Sequence, residues 1–275
     1  MKQIVVATDF SKLSSNAVSY AAQMAKESKS SLVLLHVYSV PVVMNEASIG
    51  APSLEELEKD CLKRLRRSVT LLKTKFGARF PVSFECRCGF ALEEITSYVK
   101  EHKPFLLITG LQGSGYVNDH LIGSVSTQLI KKALCPVLTV GKNMTFKKPK
   151  KIVLAFDLKD IEHKSIFEPL RELISVFNSQ LFILNVFQSG HAIPTIPEAA
   201  AGLEIDRLLG AVKHRFYYEQ HDDVVEAVNR FVEKQKAQLV VMVPRNHHFL
   251  SVLIRGSQTK RMAYHSVVPL LSLHD

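Results

Sequence analysis

Residues 3–9 read Q-I-V-V-A-T-D, and residues 151–157 read K-I-V-L-A-F-D. Each is a short apolar run closed by an aspartate, Asp9 in the first and Asp157 in the second, so the chain states the same opening twice. The endings agree as well. A-L-C-P-V-L-T-V at 133–140 is answered by H-S-V-V-P-L-L-S-L at 265–273, and a Gly-Ser pair precedes each ending, Gly123-Ser124 and Gly256-Ser257. Solenoid repeats have periods of about 20–50 residues, and this period is far longer. The chain reads as a tandem duplication of one domain. Its length agrees, since 275 residues at about 150 per domain suggest two. The expected boundaries are 1–141 for the first copy, 142–151 for a connector and 152–275 for the second copy.

Periodicity within the first copy alternates. Residues 4–8 are continuously apolar, as in a strand buried on both faces. Ser11 is placed to cap a helix that carries Ala17, Tyr20, Ala21, Met24 and Ala25 at helical spacing. A strand is expected at 32–37, then a long helix at 55–76 with Leu57, Leu62, Leu65, Val69 and Leu72 on one face. A strand at 82–86, a helix at 92–101, a strand at 105–109, a glycine-rich loop, a helix at 124–133 and a strand at 137–140 complete the copy. The second copy repeats the order: strand 152–156, a helix to 177, strand 181–186, a shorter helical stretch at 203–211, strand 215–219, helix 224–234, strand 239–243, a loop, a helix and strand 268–273. Five strands alternating with four helices require parallel strands joined by right-handed crossovers. The fold class is therefore α/β, with two tandem open sheets flanked by helices. In such sheets ligands collect beyond the carboxyl ends of the strands. That directs attention to Asp9, Val37 and the loop after Thr109.

Composition narrows the partners. The formal net charge is +9, with 47% hydrophobic and 22% charged residues, as in a globular chain. The run K-N-M-T-F-K-K-P-K-K at 142–151 supplies +5 of that charge, residues 1–141 supply another +5, and residues 152–275 sum to −1. Like-charge repulsion and a proline mark the run as a connector. Neither copy gathers its bases with exposed aromatics, so nucleic acid is not an expected partner. No apolar run approaches the roughly 20 residues of a membrane span, and Asp9 interrupts any signal-peptide core. Four cysteines are too few for a disulfide scaffold, so a reducing, cytoplasmic setting is expected. Cys86-Arg87-Cys88 lies on a strand, where alternate residues share a face, and reads as structural thiols or else as a vicinal thiol pair, while Cys135 before Pro136 reads as core. His247-His248 reads as a loop pair, because no metal-ligand spacing supports it. No nucleophile motif assembles a catalytic triad, so no catalytic residue and no metal ligand are assigned.

The glycine-rich loop reads T-G-L-Q-G-S-G-Y-V-N-D-H-L-I-G-S-V-S from Thr109 to Ser126. It has no G-K-S or G-K-T of a Walker loop, and Gly113-x-Gly115 is followed by Asn118 where a dinucleotide fingerprint needs glycine. Gly110 and Gly113 free the backbone to turn and to approach a ligand. Gly123 and Ser124 open the next helix, whose unpaired N–H groups suit an anion. On the residues alone, this is either a phosphate cradle or a plain strand–loop–helix connection.

The spacing, Gly110, two residues, Gly113, nine residues, Gly123-Ser124, resembles the G-2x-G-9x-G-(S/T) pattern of the universal stress protein family. A-T-D-F-S at 7–11, L-L-H-V at 34–37 and C-P-V-L-T-V at 135–140 resemble that family too. The resemblance covers the first copy throughout and the second more faintly. It implies, for each copy, a five-stranded parallel sheet of order 3-2-1-4-5, the adenine nucleotide alpha hydrolase-like arrangement. It implies an adenine nucleotide, ATP or another, with or without Mg, whose base lies near Asp9 and the backbone of Val37. The phosphates would lie against Gly110, Gly113, Gly123, Ser124 and the amide of Val125. Family loops commonly carry bases after the second glycine, whereas this loop carries Asp119. A carboxylate beside phosphate costs about 1 kcal/mol when exposed, which points to weak ATP binding or to fewer phosphates.

In the second copy, Val243 and Asn246 stand where Gly110 and Gly113 stood, and Pro244-Arg245 enters the turn. Arg245, His247, His248 and Arg255 keep positive charge there, but the glycine backbone is gone. One nucleotide site per chain is expected. Family dimers pair through their last strands, so the resemblance implies that 137–140 and 268–273 join the copies as an intramolecular pseudo-dimer, with a homodimer as a further level. The expected role is a stress-response protein that signals through conformation or an unidentified protein partner. The alternatives are a slow ATPase or phosphotransfer enzyme with Asp9 holding Mg²⁺, and a ligand-free interaction scaffold.

Overall fold

The computed structural model describes residues 2–39, 53–111, 124–132, 134–156, 164–187, 196–243, 266 and 268–273. The first half runs β1 (Gln3–Ala7), α1 (Lys12–Ser28), β2 (Ser31–Tyr38), α2 (Leu54–Phe76), β3 (Val82–Cys88), α3 (Ala91–His102), β4 (Leu106–Leu111), α4 (Ser124–Lys132) and β5 (Val137–Gly141). The second half runs β6 (Lys151–Ala155), a 3-10 turn at Lys164–Ile166, α5 (Phe167–Phe177), β7 (Gln180–Phe187), α6 (Ile196–Leu209), β8 (His214–Gln220), α7 (Val224–Gln235), β9 (Leu239–Met242) and β10 (Leu270–Ser272). The helix expected between β9 and β10 lies outside the described residues.

All these strands share one sheet in the order β3-β2-β1-β4-β5-β10-β9-β6-β7-β8. Read from either edge inward, each half follows 3-2-1-4-5. Pairing is parallel within each half, and the halves meet where β10 pairs antiparallel with β5, Leu270 opposite Thr139, Leu271 opposite Leu138 and Ser272 opposite Val137. Because successive strand residues face opposite sides, the central strands feed two cores. Ile4, Val6, Leu32 and Leu34 pack on one face with α1, α2, α5 and α6. Val5, Val33, Leu35 and Leu107 pack on the other with α3, α4 and α7. Both cores run through the seam, so the apolar residues of the two halves form continuous layers.

Local chemistry sets the helix ends. Ser11 caps α1 by accepting the Ser14 N–H at 3.1 Å. Ser53 and Glu56 form a reciprocal capping box at the start of α2. Among the described residues, four helices end on a left-handed residue other than glycine, Lys29, Lys103, Asn178 and Lys236. These fall at equivalent places in the two halves, after α1 and α5 and after α3 and α7, so both halves share this cap geometry without a glycine.

The lysine-rich run is held from both sides. Asn16 on α1 donates to the carbonyls of Gly141 at 2.8 Å and Met144 at 3.0 Å. Phe146 packs edge-on to Tyr20 at 5.2 Å and against Phe177 at 6.3 Å. Ser179 donates to the buried Pro149 carbonyl. Each half thus fixes part of a segment whose charges, by themselves, would keep it extended.

The cysteines correct one expectation. Cys86, read as a structural thiol, is bonded to Cys61 as a disulfide linking α2 to β3, with Cα atoms 6.7 Å apart. The two meet because α2 folds back over β2 and β3. Cys135 is buried as expected, and burial pushes its thiol pKa up to about 12. Among the described residues, no helix is long and apolar enough to cross a membrane.

Candidate functional site

The carboxyl ends of β1, β2 and β4 open into a cavity of about 270 Å³. Ala7, Leu35, Val37 and Ile95 give it apolar walls, and Asp9, Thr109, Gly110, Val125 and Ser126 give it polar and backbone surface. Asp9, Val37, Gly110 and Val125 were named from the sequence, and the fold brings all four to this one cavity. Ser124 is the first residue of α4. Gly113 and Gly123 lie outside the described residues, as do Asp119 and, in the second half, Arg245, Asn246, His247, His248 and Arg255.

A tight hydrogen-bonded turn presents Asp9. Beyond β1, the Thr8 N–H donates to the Leu35 carbonyl at 2.9 Å, and the Thr8 hydroxyl donates to Ser14 Oγ at 3.1 Å. The Asp9 carboxylate accepts the Ser11 N–H at 2.9 Å, so it shapes the turn while Ser11 itself caps α1. Partial burial raises the Asp9 pKa, but hydrogen bonds from the Ser11 and Ser14 side chains and the Ser11 amide outweigh it and leave the pKa below the ordinary carboxylate value. Asp9 is an anion at neutral pH.

Phe10, the next residue, has φ 61°, a left-handed conformation rare for a bulky side chain. Its surroundings hold it there. The His36 ring packs on it at 4.3 Å, and the Arg64 guanidinium of α2 lies 4.6 Å over it. His36 Nδ1–H donates to the Thr8 carbonyl at 2.7 Å. Burial holds the His36 pKa below its usual value; the Thr8 hydrogen bond opposes this and the Arg64 charge adds to it. The unfolded chain therefore takes up this proton first. Stability is at its full value above pH 6.5, the ordinary imidazole value, and falls as the pH drops from there toward the lowered folded-state pKa. His36→Asn is expected to flatten that part of the stability–pH profile measured by urea unfolding. An unaltered slope would show that the ring titrates alike in both states.

Gly110 corrects a second expectation. The glycine spacing predicts a turn there, but Gly110 lies inside β4 opposite Val140. Its value is a close approach: a Cβ there would fall 2.8 Å from Leu13 Cγ and 3.4 Å from the Leu13 backbone carbon. Glycine lets the first turn of α1 rest on β4 beside the cavity. The Gly110 carbonyl accepts the Ser126 hydroxyl at 2.8 Å, and the Thr109 hydroxyl donates to Ser126 Oγ at 3.0 Å. These contacts tie α4 to the end of β4. Thr8, Ser14, Thr109 and Ser126 are not among the site residues expected from the sequence, although each sits within two residues of one or in the first turn that Ser11 caps.

The equivalent place in the second half is built differently. Phe156, at the position of Thr8, is buried and packs on Phe167 at 6.0 Å. Asn185 donates to its carbonyl at 3.2 Å. Val243, at the position of Gly110, is buried as well. Large side chains stand where the first half has a hydroxyl and a bare backbone.

The universal stress protein family model matches residues 1–141. The chain belongs to the universal stress protein family. Universal stress protein MJ0531 of Methanocaldococcus jannaschii is 31% identical over 156 residues, which are 54% of this chain and 84% of that protein. Universal stress protein YxiE of Bacillus subtilis is 28% identical over 147 residues, 50% of this chain and 97% of that one. A universal stress protein structure from Archaeoglobus fulgidus superposes with a TM-score of 0.72 at 16% identity, covering 99% of this chain and 98% of that chain. At that identity the last likeness concerns the fold, and it extends over both halves of this universal stress protein.

Proposed function

We propose that this universal stress protein binds one adenine nucleotide per chain in its first half and acts in a stress response by passing the bound state to a protein partner as a conformation. The observation that carries this reading is the convergence of Asp9, Val37, Gly110 and Val125 on one cavity at the carboxyl ends of three parallel strands. Its chemistry suits the ligand. An ionised carboxylate at the β1 turn accepts from the amino group of an adenine. Ala7, Leu35, Val37 and Ile95 offer flat apolar contact to the ring, and the backbone end of Val37 supplies ring-edge hydrogen bonds. On the other side, Gly110 and the start of α4 offer close backbone approach and unpaired amides for phosphate. Family resemblance adds Gly113, Gly123 and Ser124 to that side. A Mg²⁺ would arrive with the phosphates.

Among the described residues of the second half, buried Phe156 and Val243 replace the Thr8 hydroxyl and the bare Gly110 backbone, which supports reading it as a partner domain. The antiparallel β5–β10 seam supports reading residues 1–141 and 152–275 as a pseudo-dimer in one chain, each copy covering an edge strand that would otherwise be open to aggregation. The test has two parts. Mass spectrometry of the small molecules released by denaturing freshly purified protein is expected to find an adenine nucleotide. Calorimetric titration of stripped protein is expected to give one site per chain, weakened about tenfold or more in Asp9→Asn, as the loss of a hydrogen bond to a charged group implies. Two equivalent sites, or full affinity in Asp9→Asn, would overturn the assignment.

A further inference from the structure

Helix α2 is lightly anchored. Of its 23 residues, the buried ones are Cys61, Leu65 and Leu72, so Cys61 is the first fully buried anchor along the helix. Cys61 is the residue the disulfide ties to Cys86 of β3. The cross-link stands one contact away from the Asp9 turn. Cys86 is in register with His36 on β2, His36 packs on Phe10, and Arg64, three residues after Cys61 on α2, covers the same Phe10 ring. Phe10, in its left-handed conformation, directly follows Asp9. A covalent bond, a cation over an aromatic ring and a constrained backbone thus form one connected path from α2 to the cavity.

We infer that Cys61 and Cys86 are a redox-modification site, and that closing their disulfide clamps α2 so that Arg64 and His36 hold Phe10, and with it Asp9, in the nucleotide-receiving geometry. The second half of this inference rests on the nucleotide reading above. The natural oxidant class is a low-molecular-weight disulfide. Cys86 is the more accessible of the pair, since Cys61 is 2% exposed, so Cys86 reacts first. Its thiolate attacks one sulfur of the small disulfide, forming a mixed disulfide and releasing one small thiolate. Cys61 then loses its proton, and its sulfur attacks the Cys86 sulfur and expels the second small thiolate. The protein gives up two protons and two electrons, and the small disulfide becomes two thiols. Excess small thiol reverses both steps. In a reducing compartment a disulfide of this kind is transient and sensing rather than structural.

Two other cysteines serve as internal controls. Cys88 is exposed and free, and Cys135 is buried and free. After treatment with a small disulfide and removal of excess reagent, mild cleavage of any adduct left on Cys88 precedes alkylation in denaturant. Alkylation is then expected to mark Cys88 and Cys135 only, and peptide mapping to recover Cys61 joined to Cys86. Fully reduced protein is expected to take label at all four. Hydrogen exchange of the intact chain is expected to speed up on reduction by about tenfold in the first turns of α2 and measurably in residues 8–14. ATP affinity is expected to fall about fivefold on reduction, within the usual range of coupling between sites. Cys61→Ser is expected to stay at the reduced value whatever the oxidant, while Cys88→Ser behaves as the parent. Free labelling of Cys61 and Cys86 after oxidation would overturn the modification site. A joined pair with equal ATP affinity in both states would overturn its coupling to the cavity. If the exchange changes appear but ATP binds in neither state, the redox site stands and the nucleotide reading falls.

Discussion

Gly110→Val is expected to destabilise the protein by about 2–3 kcal/mol, the usual cost of forcing extra bulk into a packed position, and to lower nucleotide affinity at least tenfold. The first carbon of the new side chain would lie 2.8 Å from Leu13 Cγ and 3.4 Å from the Leu13 backbone carbon. The side chain can rotate away, but the backbone has little room to retreat. Ser11 is bonded to Ser14, Asp9 to Ser11, and Thr8 to Ser14, so a shift of Leu13 disturbs the whole turn that presents Asp9. The check is a double-mutant cycle in urea. Gly110→Ala is expected to be costly alone and much less so with Leu13→Ala, because the second change removes the atom in the way. Additive effects, or full affinity in Gly110→Val, would mean that the close approach is not what the glycine supplies.

Leu271→Asp is expected to cost about 4 kcal/mol and to separate the melting of the two halves. Leu271 is 2% exposed and sits between Leu138 of β5 and Val241 of β9. A carboxylate there is buried without a partner, one of the few changes that reach this magnitude. The position matters beyond its own burial, because β10 has three residues and is the strand through which the sheet passes from one half to the other. With that seam broken, the halves remain joined by the lysine-rich run, the Lys2–Glu172 ion pair and the apolar layers that flank the sheet, without the strand pairing that aligns them. Calorimetry is expected to show one transition in the parent and two in the variant, the first at a lower temperature. A single transition at the parent temperature would show that the seam does not carry the coupling.

Element order was legible because its signals are local. Apolar runs such as residues 4–8, and the helical spacing of Ala17, Tyr20, Ala21 and Met24, need no partner to be read. Strand ends were harder. β3 runs to Cys88, past the 82–86 expected from its apolar pattern, because it pairs with β2 as far as Tyr38. Helix ends after α1, α3, α5 and α7 lack the glycine that usually marks them, so a left-handed lysine or asparagine closed each without a sequence signal. The candidate site was legible where its residues end strands or belong to a spaced motif, as Asp9, Val37, Gly110 and Val125 do. Its hydroxyl network was not, because Thr8, Ser14, Thr109 and Ser126 are ordinary residues until the turn and helix bring them within hydrogen-bond reach.

By itself the sequence shows a repeated opening and ending, a glycine-spaced loop in the first half and Val243 and Asn246 at the matching positions of the second. Those are properties of periodicity and spacing along the chain. Tertiary structure decided the rest, because it depends on residues that are distant in sequence meeting at fixed separations. It set the register of the β5–β10 seam, gave Gly110 its reason in Leu13 rather than in a turn, and brought Cys61 of a helix to Cys86 of a strand. It also joined Arg64, Phe10 and His36 beside Asp9, a contact among three elements that no single stretch of sequence specifies.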